Sequence, residues 1–148
     1  MGLCDAPEIR EAYEDVRNDD TQTNWMLLEF DENKNNVLKV GNKGSDGLDE
    51  LKKHLKDNSA AFGYIRVPMS NDELSLRIKF VFLVWCGTNA GIMRRAKLSV
   101  QKAEVTKVIS NSSIEIAASE QDDLDENEIM LMLKKAGGAN YDRQASDY

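Results

Sequence analysis

The sequence predicts a three-layer α/β domain in which a mixed sheet of about five strands lies between helices. Segments of helical periodicity alternate with short strand-like runs in the order αββαββαβα, which suits a sheet covered on both faces. The run Phe80-Val81-Phe82-Leu83-Val84-Trp85 is apolar at every position, as expected of a mid-sheet strand with helices on either side. A chain of 148 residues, 41% hydrophobic and 30% charged, can fill one core, whereas two domains of half that size would each be marginal.

The first helix is announced by Asp5 with Glu8 three residues on and Pro7 at the first turn, and Ile9, Tyr13 and Val16 form its apolar stripe. Residues 24–30 and 37–40 read as two strands joined by the polar turn 31–36. That turn places Asp31, Asn33 and Asn35 at alternate positions like a calcium loop. Asn36 replaces the glycine of the sharp bend and Asn42 the bidentate glutamate, so calcium binding is rejected. After the Gly/Ser/Asp-rich segment 41–47, Leu48, Leu51 and Leu55 mark a short helix. A third strand, 60–67, is expected to stop at Pro68, and a fourth spans 76–86.

From Asn89 to Ile109 the pattern is helical but changes phase. Ile92, Met93, Ala96, Val100 and Ala103 lie on one side, and Leu98, Val105, Val108 and Ile109 on another, which implies a kinked or bent helix. Residues 113–118 form the last strand. The final helix begins near Asp125, buries Ile129, Met132, Leu133 and Ala136, and is expected to stop at Gly137-Gly138. The domain is therefore read as 1–138, with 139–148 a flexible tail.

No catalytic constellation is found. His54 is the single histidine and has no partner set, so it is read as a boundary residue. Cys86 closes an apolar strand and is read as a small buried hydrophobe, not a reactive thiol. The carboxylates Asp122-Asp123 and Asp125-Glu126 precede a helix, where capping suffices to explain them. Gly87-Thr88-Asn89-Ala90-Gly91 lacks the P-loop lysine and the dinucleotide pattern. No cofactor is expected. Without a basic region followed by an apolar stretch near the N-terminus, Asn111-Ser112-Ser113 is not read as a glycosylation site, and a cytoplasmic location is expected.

The net charge of −7 argues against nucleic acid as a partner. Its distribution is uneven. Residues 90–109 hold Arg94, Arg95, Lys97, Lys102 and Lys107 against Glu104 alone, a local net of +4, leaving −11 for the remainder. Arg95 and Lys102 are seven residues apart and share a helix face.

Several stretches carry a family resemblance: Lys79-Phe80 leading into Leu83-Val84-Trp85 with Gly87, then Arg95-Ala96-Lys97, and the string Leu133-Lys134-Lys135-Ala136-Gly137-Gly138-Ala139-Asn140-Tyr141-Asp142. With the element order, they resemble the actin-depolymerising-factor homology (ADF/cofilin) family, its coactosin branch in particular. The resemblance implies a gelsolin-like fold, side-binding to actin filaments with little severing, association with the actin cytoskeleton and no enzymatic activity. It also implies that Lys79, immediately before Phe80, is a filament contact. Arg77 shares its strand face, Arg94 and Lys97 flank the Arg95/Lys102 face, and Lys134 and Lys135 complete the candidate set.

Three departures stand out. Asn71-Asp72-Glu73 occupies a turn where a filament-contacting loop would be positive, and no serine follows Met1, where cofilins carry their phosphorylation switch. Met93-Arg94-Arg95-Ala96-Lys97 replaces the Lys-Met pair of monomer-binding cofilins, which lowers the expectation of filament disassembly. Two alternatives stay open: a cofilin-like protein that binds monomeric actin and depolymerises filaments, and a phosphoinositide-binding module. In the latter, Lys134-Lys135 and Arg94-Arg95 would make weak contact with anionic lipid. A monomer is expected.

Overall fold

A computed structural model describes residues 2–33, 36–72 and 75–146, so Asn35 of the calcium-like turn and Glu73 of the acidic turn lie outside the described residues. The chain folds as α1 (Pro7–Arg17), β1 (Trp25–Phe30), β2 (Leu38–Gly44), α2 (Gly47–Lys52), β3 (Ala60–Asp72), β4 (Ser75–Cys86), α3 (Ile92–Val108), β5 (Ile114–Ala118) and α4 (Glu126–Ser146), with a 3₁₀ turn at Gln121–Asp123. The strands form one sheet in the order β2-β1-β3-β4-β5. Neighbours are antiparallel except β4 and β5, which run parallel, so the sheet is mixed as expected.

Strand alternation divides the core into two layers. Met26 and Leu28 of β1, Phe62 and Tyr64 of β3, and Phe82 and Val84 of β4 face α1 and α3, meeting Ile9, Tyr13 and Val16 on one and Leu98 and Val105 on the other. Their sequence neighbours Trp25, Leu27, Ile65, Val81, Leu83 and Trp85 face α2 and α4, meeting Leu51, Ile129 and Leu133. The all-apolar run of β4 is thereby explained, since each of its faces is roofed by a helix pair.

β3 continues through Pro68 to Asp72, beyond the expected stop. Arg66 N donates to Asn24 O at 2.8 Å, so its N–H points toward β1. Pro68, two residues on, would aim its N–H the same way, but the register of β1 against β3 ends at Trp25 and Ile65. A proline on that open margin forfeits no ladder bond, while its other side stays paired with Ile78. β2 also runs further than expected, to Gly44. Its register shifts between Leu27/Asn42 and Leu28/Val40, leaving Gly41 as the extra residue of a bulge.

Helix ends differ too. Asp5 does not cap α1; its carboxylate accepts from Gly2 N at 2.7 Å, and Ala6 is the cap residue ahead of Pro7. Asp125 caps α4 as expected, its Oδ1 accepting from Asn127 N at 2.8 Å. The helix does not stop at Gly137-Gly138 but reaches Ser146. Each helical glycine costs about 1 kcal/mol relative to alanine, and the good helix formers around the pair keep the backbone helical across it. Among the described residues no helix is long and apolar enough to cross a membrane.

Candidate functional site

α3 is one uninterrupted helix of 17 residues, and its two apolar stripes lie on different faces of it. Leu98, Gln101 and Val105 are buried on the sheet, whereas Ile92 is 85%, Met93 67% and Val100 68% exposed. The Ile92/Met93/Ala96/Val100/Ala103 stripe is therefore the outer face, an apolar surface that none of the described residues covers. Sequence periodicity detects both stripes but treats each as a packing face; exposure separates them.

Four of the five cations of α3 were read as site residues, and they point three ways. Arg94 turns inward, its guanidinium over the Phe30 ring with 3.6 Å from Cζ to the centroid, and the burial lowers its pKa. Arg95 and Lys102 lie within about 20° of each other around the helix, on the flank facing β5. Arg95 Nη2 donates to Thr88 O at 2.9 Å, and Lys102 Nζ donates to Glu115 Oε2 at 2.7 Å. Lys97 lies on the opposite flank, beside Gly2, Leu3 and Glu104. Thus Arg95 and Lys102 are brought together as expected, Lys97 is separated from them by the apolar stripe, and Arg94 is half-buried against Phe30.

Lys79 and Arg77 occupy a different region. They have the same strand parity as Val81, so they project on the α2/α4 side of the sheet, opposite α3. Arg95, moreover, sits at the Gly87 end of β4, eight residues from Lys79, or about 26 Å at 3.3 Å per residue. The strand and helix cations therefore lie on different sides of the sheet. Arg77 is exposed and Lys79 partly so. On α4, Lys134 and Lys135 are exposed together with Leu131 (56%) and Met132 (41%). Met132 was expected in the core; Met130 takes its place against the inner layer.

The residues read as non-catalytic have structural partners. His54 lies against the Trp25 ring at a centroid distance of 5.4 Å. Asp123 Oδ2 accepts from Ser119 N and Glu120 N, which holds its carboxyl below the ordinary range. Cys4 and Cys86 are both free and half-buried, and burial, reinforced by Glu104 and Asp5, pushes the Cys4 thiol up to about 11. A thiol so protonated is a poor nucleophile.

Comparison with known proteins matches this arrangement. Residues 2–134 match the model of the family described as cofilin/tropomyosin-type actin-binding protein. Coactosin of Dictyostelium discoideum is 40% identical over 142 residues, which cover 95% of each chain. The crystal structure of coactosin from Entamoeba histolytica superposes with a TM-score of 0.84 at 32% identity, covering 93% of this chain and 97% of that one. Human coactosin-like protein gives a TM-score of 0.81 at 27% identity, with 91% and 99% covered. With a five-stranded mixed sheet between two helix layers and a match that spans α1 to the inner turns of α4, the chain belongs to the cofilin/tropomyosin-type actin-binding protein family.

Proposed function

We propose that this chain binds the sides of actin filaments in the cytoplasm as a monomer, and stabilises them without marked severing. One observation carries the reading: α3 presents Ile92, Met93 and Val100 to solvent with Lys97 on one flank and Arg95 and Lys102 on the other. A central apolar strip bordered by cations is the anatomy of a docking face, where desolvated apolar contacts supply affinity and peripheral charge supplies steering and register.

The second group, Arg77 and Lys79 on β4 with Lys134 and Lys135 on α4, belongs to the other side of the sheet. Two charged patches on opposite sides of one small domain cannot both meet one flat surface. They suit a polymer whose neighbouring subunits form a recess, and this favours filament over monomer as the target.

Co-sedimentation with polymerised actin at two ionic strengths tests the reading. The protein is expected in the pellet at low salt and progressively less so as salt rises, because exposed charges are screened beyond about 8 Å at physiological ionic strength. Complete retention in the supernatant at low salt overturns it. Dilution of pyrene-labelled filaments separates the stabiliser from a cofilin-like depolymeriser: the stabiliser slows the loss of signal.

A further inference from the structure

A groove of about 250 Å³ runs between α3 and the edge strand β5. Its floor is apolar, from Val84, Leu98 and Ala117, and its α3 wall presents Arg95, Ser99 and Lys102 at spacings of four and three residues, hence on one side of the helix. Glu115 reaches into it from β5, and its Oε2 accepts from Lys102 Nζ at 2.7 Å. Both side chains remain partly exposed, 36% for Lys102 and 42% for Glu115, so solvent screens the pair and its exchange for another partner is inexpensive. Among the described residues Arg95 is bonded only to the neutral carbonyls of Thr88 and, at 3.3 Å, Gly87, which orient the guanidinium without neutralising it. One groove cation is thus countered within the chain and the other is not.

We propose that this groove seats a carboxylate of the partner, and that Glu115 is an internal occupant which the incoming carboxylate displaces from Lys102. The inference rests on α3 docking against the acidic surface of actin. A carboxylate placed between Arg95 and Lys102 trades one ion pair for two contacts, and the Ser99 hydroxyl can donate to the same group. Covering the groove removes the solvent that weakens the internal pair. Glu115 acts against this in two ways: it withholds Lys102 before contact, and once displaced it stands at the rim as a like charge. Glu115 is therefore a brake on affinity, a positioning residue that touches the binding lysine and not the filament.

The test compares filament co-sedimentation of the full chain with that of Glu115→Gln, which keeps the side-chain shape and removes the charge. Glu115→Ala controls for new hydrogen bonds from the glutamine amide, and circular dichroism melting confirms that both variants fold. Both are expected to lower Kd about two- to five-fold at low ionic strength, the range an exposed ion pair can account for, with the gain shrinking as salt rises. In a Lys102→Ala background the same substitutions are expected to give a clearly smaller gain, that of the like charge alone. If the unaltered protein pellets and Glu115→Gln binds equally or more weakly, this proposal alone fails. It fails likewise if the gain persists undiminished without Lys102, since Glu115 would then act only through net charge. If the unaltered protein does not pellet at all, filament binding and the groove proposal fall together.

Discussion

The guanidinium of Arg94 lies over the Phe30 ring, with Cζ 3.6 Å from its centroid, although it stands between the exposed Met93 and the exposed Arg95 in sequence. Phe30 itself packs on the α1/α3 core layer, so this arginine fastens the first turn of α3 to the sheet. Arg94→Ala is expected to destabilise the fold by about 1 kcal/mol, as for a partly desolvated cation–π pair, while Arg95→Ala leaves the melting temperature nearly unchanged. Chemical denaturation of the two variants measures the difference.

The outer stripe of α3 should carry binding energy in proportion to its apolar area. Met93→Gln combined with Val100→Thr is expected to weaken filament co-sedimentation about tenfold, in the range of central interface residues, with no loss of stability because both side chains face solvent. An unchanged pelleting curve would remove the stripe from the interface.

Arg95 lies about 26 Å along β4 from Lys79, and the α3 and β4 cations project on opposite sheet faces, so their contributions should be independent. Replacement of Lys79 by alanine and of Arg95 with Lys102 by alanine is expected to give losses in log Kd that add in the triple variant, as for substitutions without shared partners. Strong non-additivity would indicate one shared contact.

Trp25 Nε1 donates to Glu50 Oε1 at 2.7 Å, and this bond, with the Asp46 backbone N–H as the next cause, holds the Glu50 carboxyl below its ordinary 4.5. A carboxylate depressed in the folded state contributes stability that is fully present above the unfolded pKa and is lost as pH falls through the folded one. Thermal melts are therefore expected to be flat above about pH 5 and to drop below pH 4. Glu50→Gln should reduce the size of that acid drop. A melting curve with the same acid dependence in the variant would show that Glu50 does not contribute to it.

Gly87 follows β4 where a Cβ would sit 2.2 Å from the Asp57 carbonyl oxygen. That neighbour is backbone and cannot rotate away. Gly87→Ala is expected to cost about 2 kcal/mol or more in urea unfolding, and to disturb the loop whose carbonyls orient Arg95.

Local signals specified most of the architecture. The apolar stripe of α1, the continuous apolar run of β4 and the cap at Asp125 each depend on neighbours within one or two turns, so the order of elements and the mixed sheet were legible before any coordinates. The unusual string from Leu133 to Asp142 pointed to the family. What periodicity could not supply was the choice between two apolar stripes on α3, because a stripe that packs and a stripe that docks have the same composition. Nor could it tell that Pro68 lies past the end of β1, or that Lys79 and Arg95 stand on opposite faces. Those facts depend on which surfaces other elements cover. The sheet covers one side of α3 and nothing in the described chain covers the other, so only tertiary structure decided which residues are core and which are left to meet a partner.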